Sequence, residues 1–191
     1  MTSKHLLDEI QSVSLSMFRK NFLGVYHGSM SARTSSNTFM INKKEAIFDE
    51  IGEDSLIHLD VLKRDYRWHI SSMDSAIHEQ IYQEMSQAKY VSYTMPPYAT
   101  AYSLSHAKLS PRDYFGDLII GEVIVYDPGN FHDWYDRAPY EISSFFKESK
   151  CQMMLIKGYG LLTYDRDIIE MAKKIALLEN SARLLMLNSS A

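Results

Sequence analysis

The stretch at residues 90–106, YVSYTMPPYATAYSLSH, combines a strand pattern, a double-proline corner and a helix start. Residues 90–94 predict a buried strand. A helix begins at the Pro-Pro pair, because proline is tolerated at the first helical position. Tyr93 and Met95 alternate with Thr94 and therefore project on the same side. Ligands in α/β proteins usually lie at the carboxyl ends of strands, so we expect any chemistry of this protein at this corner.

Hydrophobic periodicity on either side of this stretch predicts a mixture of helices and strands. It indicates a first helix over residues 4–20 and a long last helix over residues 166–188, with Asp165 or Asp167 as its N-cap. A turn at residues 35–37 joins two strands in a hairpin. The predicted strands cover residues 24–34, 38–42, 56–60, 66–70, 90–94, 122–128, 152–156 and 161–163, and further helices cover residues 71–85 and 139–148.

Composition limits the class of protein. The 191 residues, 46% of them hydrophobic, fit one globular domain over residues 1–191 with a full core. A net charge of −4 gives no reason to expect nucleic acid or an anionic membrane as a partner. Cys151, the single cysteine, excludes an intrachain disulfide and a Cys-rich zinc site, and its apolar surroundings predict a buried thiol. No stretch is apolar enough to span a membrane and the N-terminus is unlike a signal peptide, so we expect a cytoplasmic protein.

The run VSYTMPPYATA at residues 91–101 resembles the core motif of the class II aldolase/adducin family, in which the strand carries His-x-His before Pro-Pro-Tyr-Ala-Thr-Ala. Three further blocks are similar to the family pattern and stand in the same order. Residues 28–33 (GSMSAR) match Gly-Asn-Ile/Leu-Ser-x-Arg. Residues 71–74 (SSMD) match Pro-Ser-Ser-Glu, and residues 157–163 (KGYGLLT) match Asn-His-Gly-x-Leu-Thr.

This resemblance covers nearly the whole chain and implies its fold. The expectation is an α/β protein with a three-layer αβα class II aldolase/adducin-like architecture, a central, mainly antiparallel sheet and a long C-terminal helix. It also implies a homo-oligomer, by comparison with the family's tetramers. The aromatic-rich segment at residues 133–146 is a candidate for covering a cleft or for supplying subunit contacts.

Zinc is the cofactor that the resemblance implies, and its ligand positions have changed. The three family histidines fall at Tyr93, Met95 and Tyr159 in this sequence. A neutral phenol is a poor ligand near pH 7 and a thioether suits softer metals than zinc. We therefore predict no metal site here and expect Tyr93 and Tyr159 to form an aromatic pair in the former site.

Other histidines leave one alternative open. His27, His78 and His106 lie in segments that could approach the same strand ends, so a rebuilt metal site is a second interpretation. No two histidines stand at His-x-His or His-x₃-His spacing. His78 occurs in the family helix without being a ligand, and a structural role is the simpler prediction for it.

Substrate-binding residues are implied by the resemblance at several positions. Asp74 aligns with the family's acid/base glutamate but is shorter by one methylene, and capping of a helix is the alternative role for its carboxylate. The positions that contact substrate phosphate in the family correspond to Ser29, Asn42, Lys43 and Ser72, of which Ser29 and the Asn42–Lys43 pair are weakened matches.

Three functions remain compatible with these residues. The first is an oligomeric binding or assembly domain that has lost zinc-dependent aldolase chemistry. The second is a divergent aldolase or epimerase, a carbon–carbon lyase acting on a small phosphorylated sugar. The third is a module that binds a small anionic or sugar ligand in the former active-site cleft. The joint change of three ligand positions favours the first over the second, and only the volume of the cleft separates the first from the third.

Overall fold

The computed structural model describes residues 3–189, and within them eight strands form one sheet in the order β3-β2-β1-β4-β8-β7-β6-β5. The strands are β1 (Ser29–Arg33), β2 (Thr38–Asn42), β3 (Leu56–Asp60), β4 (Tyr90–Thr94), β5 (Lys108–Leu109), β6 (Val123–Tyr126), β7 (Met153–Ile156) and β8 (Gly160–Asp165). The helices are α1 (Ser3–Arg19), α2 (Arg67–Ile70), α3 (Ser75–Glu84), α4 (Pro97–Ser103), α5 (Trp134–Ser149) and α6 (Ile168–Ser189), with a 3-10 turn at Glu53–Ser55 and a π-helical segment at Gly116–Ile120.

The sheet is mainly antiparallel, as predicted. Every neighbouring pair within residues 3–189 is antiparallel except β6 and β7. β4 lies between β1 and β8, and its register places Tyr93 opposite both Ser29 and Leu162. The strand before the Pro-Pro corner is therefore held on both sides at the centre of the sheet.

Helices cover both faces of the sheet and give the predicted three layers. Side chains of α1, α4 and α6 pack in one hydrophobic core, and side chains of α3 and α5 pack in the other. Alternation along β4 sends Tyr90 to the first core and Val91 and Tyr93 to the second. The aromatic side chain of Tyr93 therefore lies on the α3/α5 side of the sheet.

A buried carboxylate on α6 fixes the helix that follows the corner. Glu179, which is 8% exposed, accepts hydrogen bonds from the backbone N–H groups of Tyr98 (2.9 Å) and Ala99 (2.8 Å) at the start of α4. At the other end of α4, the Ser103 hydroxyl accepts the N–H of Gly158 at 3.1 Å. The C-terminal helix thus helps to set the position of the turn that carries Tyr159.

The predicted long last helix is confirmed as α6. Asp167 supplies its N-cap, because Oδ1 of that residue accepts the N–H groups of Ile169 (2.8 Å) and Glu170 (3.1 Å). Asp165 instead pairs with Lys174 and accepts the N–H of Arg166. Within residues 3–189 no helix is long and apolar enough to cross a bilayer.

Several predictions about local structure are wrong. The strand predicted over residues 24–34 begins only at Ser29, and the helix predicted over residues 71–85 begins only at Ser75. Residues 66–70 were predicted as a strand but form α2, because the Asp65 carboxylate accepts the N–H of Arg67 and pairs with its guanidinium, which favours a helical turn. The helix predicted at residues 139–148 begins earlier, at the buried Trp134. Cys151 is exposed and not buried, because the chain leaves α5 through a left-handed residue and β7 starts two positions after the cysteine.

Candidate functional site

A cavity of about 520 Å³ opens beside the end of β4. Its walls come from the loop before β1, the end of β2 and the segment after it, the turn before α3, and the start of α5. The residues that line it are Gly24, Val25, Tyr26, His27, Gly28, Asn42, Lys44, Glu45, Ala46, Phe48, Ser72, Met73, Asp74, Tyr93 and Tyr135. The cavity therefore lies where the sequence predicted the chemistry of the protein.

Tyr93 and Tyr159 form a stacked aromatic pair at one side of this cavity. Their ring centroids are 4.5 Å apart and the planes meet at 25°. The Tyr93 hydroxyl donates to the Tyr159 carbonyl oxygen at 2.7 Å, and the Tyr159 hydroxyl donates to Oδ1 of Asp74 at 3.2 Å. The predicted aromatic pairing is thus present, with both hydroxyl groups hydrogen-bonded.

The glycine after Tyr159 is required by this arrangement. Gly160 has a φ of +138°, and a Cβ atom built on it would lie 2.5 Å from the Thr94 carbonyl oxygen. Only a residue without a side chain lets β8 approach β4 so closely. The turn consequently holds the Tyr159 ring against Tyr93.

The donor atoms at the three implied ligand positions do not fit a zinc ion. Burial raises the pKa of Tyr93 and of Tyr159 far above the ordinary value, so both phenols stay protonated. Met95 lies just beyond β4 and its N–H donates to the Phe22 carbonyl, but its side chain is absent from the cavity lining. A structural or catalytic zinc site needs deprotonated thiolate, neutral imidazole or carboxylate ligands, and these residues supply none of them.

Other candidate ligands are not brought together either. Within residues 3–189, no group of three or more His, Cys, Asp or Glu side chains is close enough to hold a metal ion. His27 lines the cavity, His78 is buried beneath it, and His106 stacks on Tyr102 at an exposed site. The alternative of a site rebuilt from these three histidines is therefore not supported by their positions.

Asp74 is the buried acidic group of the cavity, whose lining also includes the exposed Glu45, and the predicted capping role of the Asp74 carboxylate is wrong. The residue occupies the N-cap position of α3, but its side chain makes no capping hydrogen bond. Its side chain turns into the cavity, where it is 4% exposed, and Oδ1 accepts a hydrogen bond from the Tyr159 hydroxyl at 3.2 Å. The hydroxyl groups of Ser29, Ser72 and Tyr135 are close to the same carboxylate. Burial raises the pKa of Asp74, and the hydroxyl donors oppose that shift.

A buried polar network lies behind Asp74. The Ser29 hydroxyl is 2.9 Å from Nε2 of His78, and the Ser31 hydroxyl is 2.6 Å from Nδ1 of the same ring. The Ser31 hydroxyl also meets the Tyr82 hydroxyl at 2.7 Å. Burial lowers the pKa of His78 to about 3, so the imidazole is neutral at physiological pH.

The positions implied to bind phosphate are divided between the cavity and its supporting shell. Ser72 and Asn42 line the cavity, but the Asn42 amide is used internally, accepting the Met30 N–H at 2.9 Å and donating to the Lys43 carbonyl at 3.1 Å. Lys43 is absent from the lining, and the exposed Lys44 takes its place. Ser29 lies behind Asp74 instead of facing the cavity.

Two side chains at the cavity wall, Tyr135 and Tyr26, were not named individually from the sequence. Tyr135, from the aromatic-rich segment, faces Asp74, and the loop at residues 24–28 forms one rim. Tyr26 on that rim is 99% exposed. The aromatic composition of residues 133–146 had suggested a cleft cover, and His27 had placed the loop at residues 24–28 near these strand ends.

Comparisons with known proteins agree with this architecture. The family model described as the class II aldolase and adducin N-terminal domain matches residues 8–186. No curated protein matches the chain. An L-fuculose-1-phosphate aldolase from Thermus thermophilus has a similar structure, with a TM-score of 0.81 and 21% identity, covering 97% of this chain and 95% of that one.

Two further solved structures have the same fold. An aldolase II superfamily protein from Pseudomonas syringae gives a TM-score of 0.79 at 16% identity and covers 98% of this chain and 76% of that one. A sugar-phosphate aldolase from Thermotoga maritima gives 0.71 at 14% identity, with 98% and 96% covered. Because the family model matches residues 8–186, almost all of the sequence, the chain belongs to the class II aldolase/adducin family.

Proposed function

We propose that this family member binds a small anionic or sugar ligand in the former active-site cleft and no longer carries out zinc-dependent aldolase chemistry. The observation that carries the proposal is the stacked pair of Tyr93 and Tyr159, whose hydroxyl groups are already hydrogen-bonded within the protein. Stacked, protonated phenols stand where the resemblance implies metal-binding imidazoles. Tyr93, with Tyr159 stacked on it, gives the cavity a polarisable wall but no Lewis acid.

The cavity supports binding in preference to a purely structural role. Its volume of about 520 Å³ falls in the range of small-molecule sites. The exposed Lys44 and Glu45 offer one charge of each sign at the rim, Ser72 offers a hydroxyl group, and Asp74 offers an acceptor at the base. A molecule with an anionic group at one end and hydroxyl groups at the other matches this distribution of charge.

Two measurements on the purified chain test the proposal. Elemental analysis should find no stoichiometric zinc. Thermal unfolding should shift upward with L-fuculose 1-phosphate, the substrate named for the Thermus relative, or with inorganic phosphate, since a ligand that binds only the native state stabilises it. L-fuculose without the phosphate serves to separate recognition of the sugar from recognition of the anion.

A matched pair of variants locates the binding. Lys44→Ala should weaken the affinity for a phosphorylated ligand about tenfold, which corresponds to about 1.4 kcal/mol, as expected for one charge-assisted contact. Lys63→Ala, at an exposed site outside the cavity, should leave the affinity unchanged. An absence of any shift with sugars, sugar phosphates or phosphate would contradict the binding proposal.

A divergent lyase is the second candidate, and the position of Asp74 favours it. The carboxylate lies at the base of the cavity at the position implied for the family's acid/base group. Stoichiometric zinc together with aldol cleavage that Asp74→Asn abolishes would establish this function. Ligand binding without zinc and without cleavage would instead support the first proposal.

We further propose that the chain forms a homo-oligomer. Five large apolar side chains that are exposed within residues 114–124 support this, since monomers seldom leave large apolar areas exposed. These side chains are Tyr114, Phe115, Leu118, Ile119 and Ile124. Light scattering coupled to size exclusion should give a mass above that of one chain, and Leu118→Asp should lower it, whereas Leu62→Asp at a separate exposed site should not.

A further inference from the structure

A second cavity, of about 460 Å³, lies at the opposite end of β1 and β4 from the cavity that contains Asp74. Arg33, the last residue of β1, and Lys89, the residue before β4, both contribute to its wall. The residues that line it are Arg33, Thr34, Ser35, Ser86, Gln87, Ala88, Lys89 and Arg166. Three of these eight residues carry a positive charge and none of the eight is acidic.

Backbone hydrogen bonds bring the three cationic residues together. The Arg33 N–H donates to the Lys89 carbonyl oxygen at 2.8 Å, and the Lys89 N–H donates to the Asp165 carbonyl oxygen at 3.0 Å, next to Arg166. The register of β1, β4 and β8 therefore places these residues side by side. The Asp165 carboxylate is already paired with Lys174 at 2.7 Å and does not line the cavity.

Arg33 differs from the other half-buried arginines of residues 3–189. Arg67 pairs with Asp65 at 2.8 Å, and Arg137 pairs with Asp133 at 2.9 Å. Arg33 has no carboxylate partner among the described residues, and burial lowers the pKa of its guanidinium. A charge removed from water is usually paired with an opposite charge. An anion in the second cavity would supply that pairing.

The guanidinium groups beside this cavity have donors to spare. Nη2 of Arg33 donates to the carbonyl oxygens of Tyr82 and Met85 at the end of α3, but Nε is buried without a partner. Within residues 3–189, Nη1 of Arg33 and the exposed side chain of Arg166 make no hydrogen bond. Guanidinium groups, together with the Ser86 hydroxyl in the same wall, suit the oxygen atoms of a phosphate group.

We propose that the second cavity is an anion site that binds the phosphate group of a small phosphorylated molecule between Arg33 and Arg166. A phosphate ester carries a charge of about −1.5 to −2 near neutral pH, which matches several cations better than the single charge of a carboxylate does. The volume of about 460 Å³ leaves room for the rest of a small molecule. This site does not depend on the function proposed for the cavity that contains Asp74.

Amide NMR of the protein, titrated with inorganic phosphate at constant ionic strength, tests the proposal. The titration uses the Lys44→Ala variant, because Lys44 is the cation at the rim of the other cavity. The amide signals of Ser86, Gln87 and Arg166 should shift and reach saturation. Glycerol phosphate should shift the same signals, and glycerol should not. Saturable shifts confined to the other cavity, around Ser72, would overturn the proposal, as would the absence of any saturable shift.

A matched pair of arginine variants locates the anion. Arg166→Ala should raise the Kd for phosphate, read from the Ser86 and Gln87 amide signals, about tenfold. Arg112→Ala removes another exposed arginine, outside the lining of the second cavity, and should leave this Kd unchanged. Arg33→Lys keeps the positive charge but loses the planar fork, and should also raise the Kd while the remaining amide spectrum stays that of the folded protein. An equal Kd for the Arg166 and Arg112 variants would refute the site, because it would show that phosphate responds only to the net charge of the protein.

Discussion

Acidification should destabilise the protein through His78. The imidazole is fully buried between two hydroxyl groups, and its pKa falls from 6.5 to about 3 on folding because burial disfavours the charged ring. Between those two values the unfolded chain binds a proton that the folded chain does not. The free energy of unfolding therefore falls as the pH falls, by about 1.4 kcal/mol for each pH unit.

The magnitude follows from the same two values. At pH 7.5 the histidine is neutral in both states and contributes almost nothing to the pH dependence. At pH 5 the unfolded imidazole is protonated and the folded one is not, which removes about 2 kcal/mol of stability. This is a large part of the net stability of a typical domain, which is about 5–15 kcal/mol.

Urea unfolding of the wild-type protein and of His78→Gln at several values between pH 7.5 and pH 5 isolates this contribution. The stability difference between the two proteins should change by about 2 kcal/mol over this interval, in the direction that favours His78→Gln at pH 5. His132→Gln, at an exposed histidine, should not change the profile. A constant difference between wild type and His78→Gln would show that the buried ring takes up a proton in the folded state, and would refute the reasoning.

Three further substitutions test the contacts that hold the site. Glu179→Ala should lower the free energy of unfolding by about 3 kcal/mol, because it removes a buried acceptor of two backbone N–H groups. The control Glu170→Ala, on the exposed face of the same helix, should lower it by at most about 0.5 kcal/mol. Gly160→Ala should lower the free energy of unfolding by about 3 kcal/mol, because the residue has a positive φ and its new Cβ would clash with the neighbouring strand. Gly121→Ala also has a positive φ but open space around it, and it should lower the free energy of unfolding by about 1 kcal/mol. Tyr159→Phe should keep the aromatic stack but cost about 1 kcal/mol at neutral pH through the lost hydrogen bond to the carboxylate. Urea unfolding at constant m-value measures the stability change of each variant. A control variant that loses as much stability as the matching Glu179 or Gly160 variant would contradict the contact assigned to that residue.

The parts of the fold that the sequence predicted are those in which local pattern and tertiary packing agree. The corner after β4 is one, because Pro-Pro ends a strand and starts a helix in almost any context. The pairing of Tyr93 and Tyr159 is another, since both lie in sequence blocks whose positions in the fold the resemblance supplied. Residues 66–70 failed because alternation of aromatic and polar residues does not reveal that the Asp65 carboxylate folds back on Arg67 and closes a helical turn.

The site was harder to predict because its polar groups form hydrogen bonds with residues that are distant in the sequence. Residue type alone favoured Asp74 as a helix cap. In the structure its carboxylate instead lies in the cavity, close to hydroxyl groups from β1, α5 and the turn before β8. Lys43 and Lys44 are equivalent in sequence, and the backbone pairing of Lys43 with Ser71 decides that Lys44 faces the cavity. Such outcomes depend on register between strands, which a single sequence does not contain.

Under the proposed function, the changed ligand positions and the environment of Asp74 are linked through charge. A metal ion next to a carboxylate stabilises the ionised form. The Tyr159 hydroxyl, at an implied ligand position, supplies a hydrogen bond to Asp74 instead, and burial still raises the pKa of the acid. A buried carboxylate needs hydrogen-bond donors, and the Tyr159 hydroxyl provides one at 3.2 Å. Because a zinc site needs several ligands at once, returning a histidine to position 159 alone would remove a donor from Asp74 without assembling a cage. The aromatic pair and the Asp74 carboxylate are therefore connected through the Tyr159 hydroxyl.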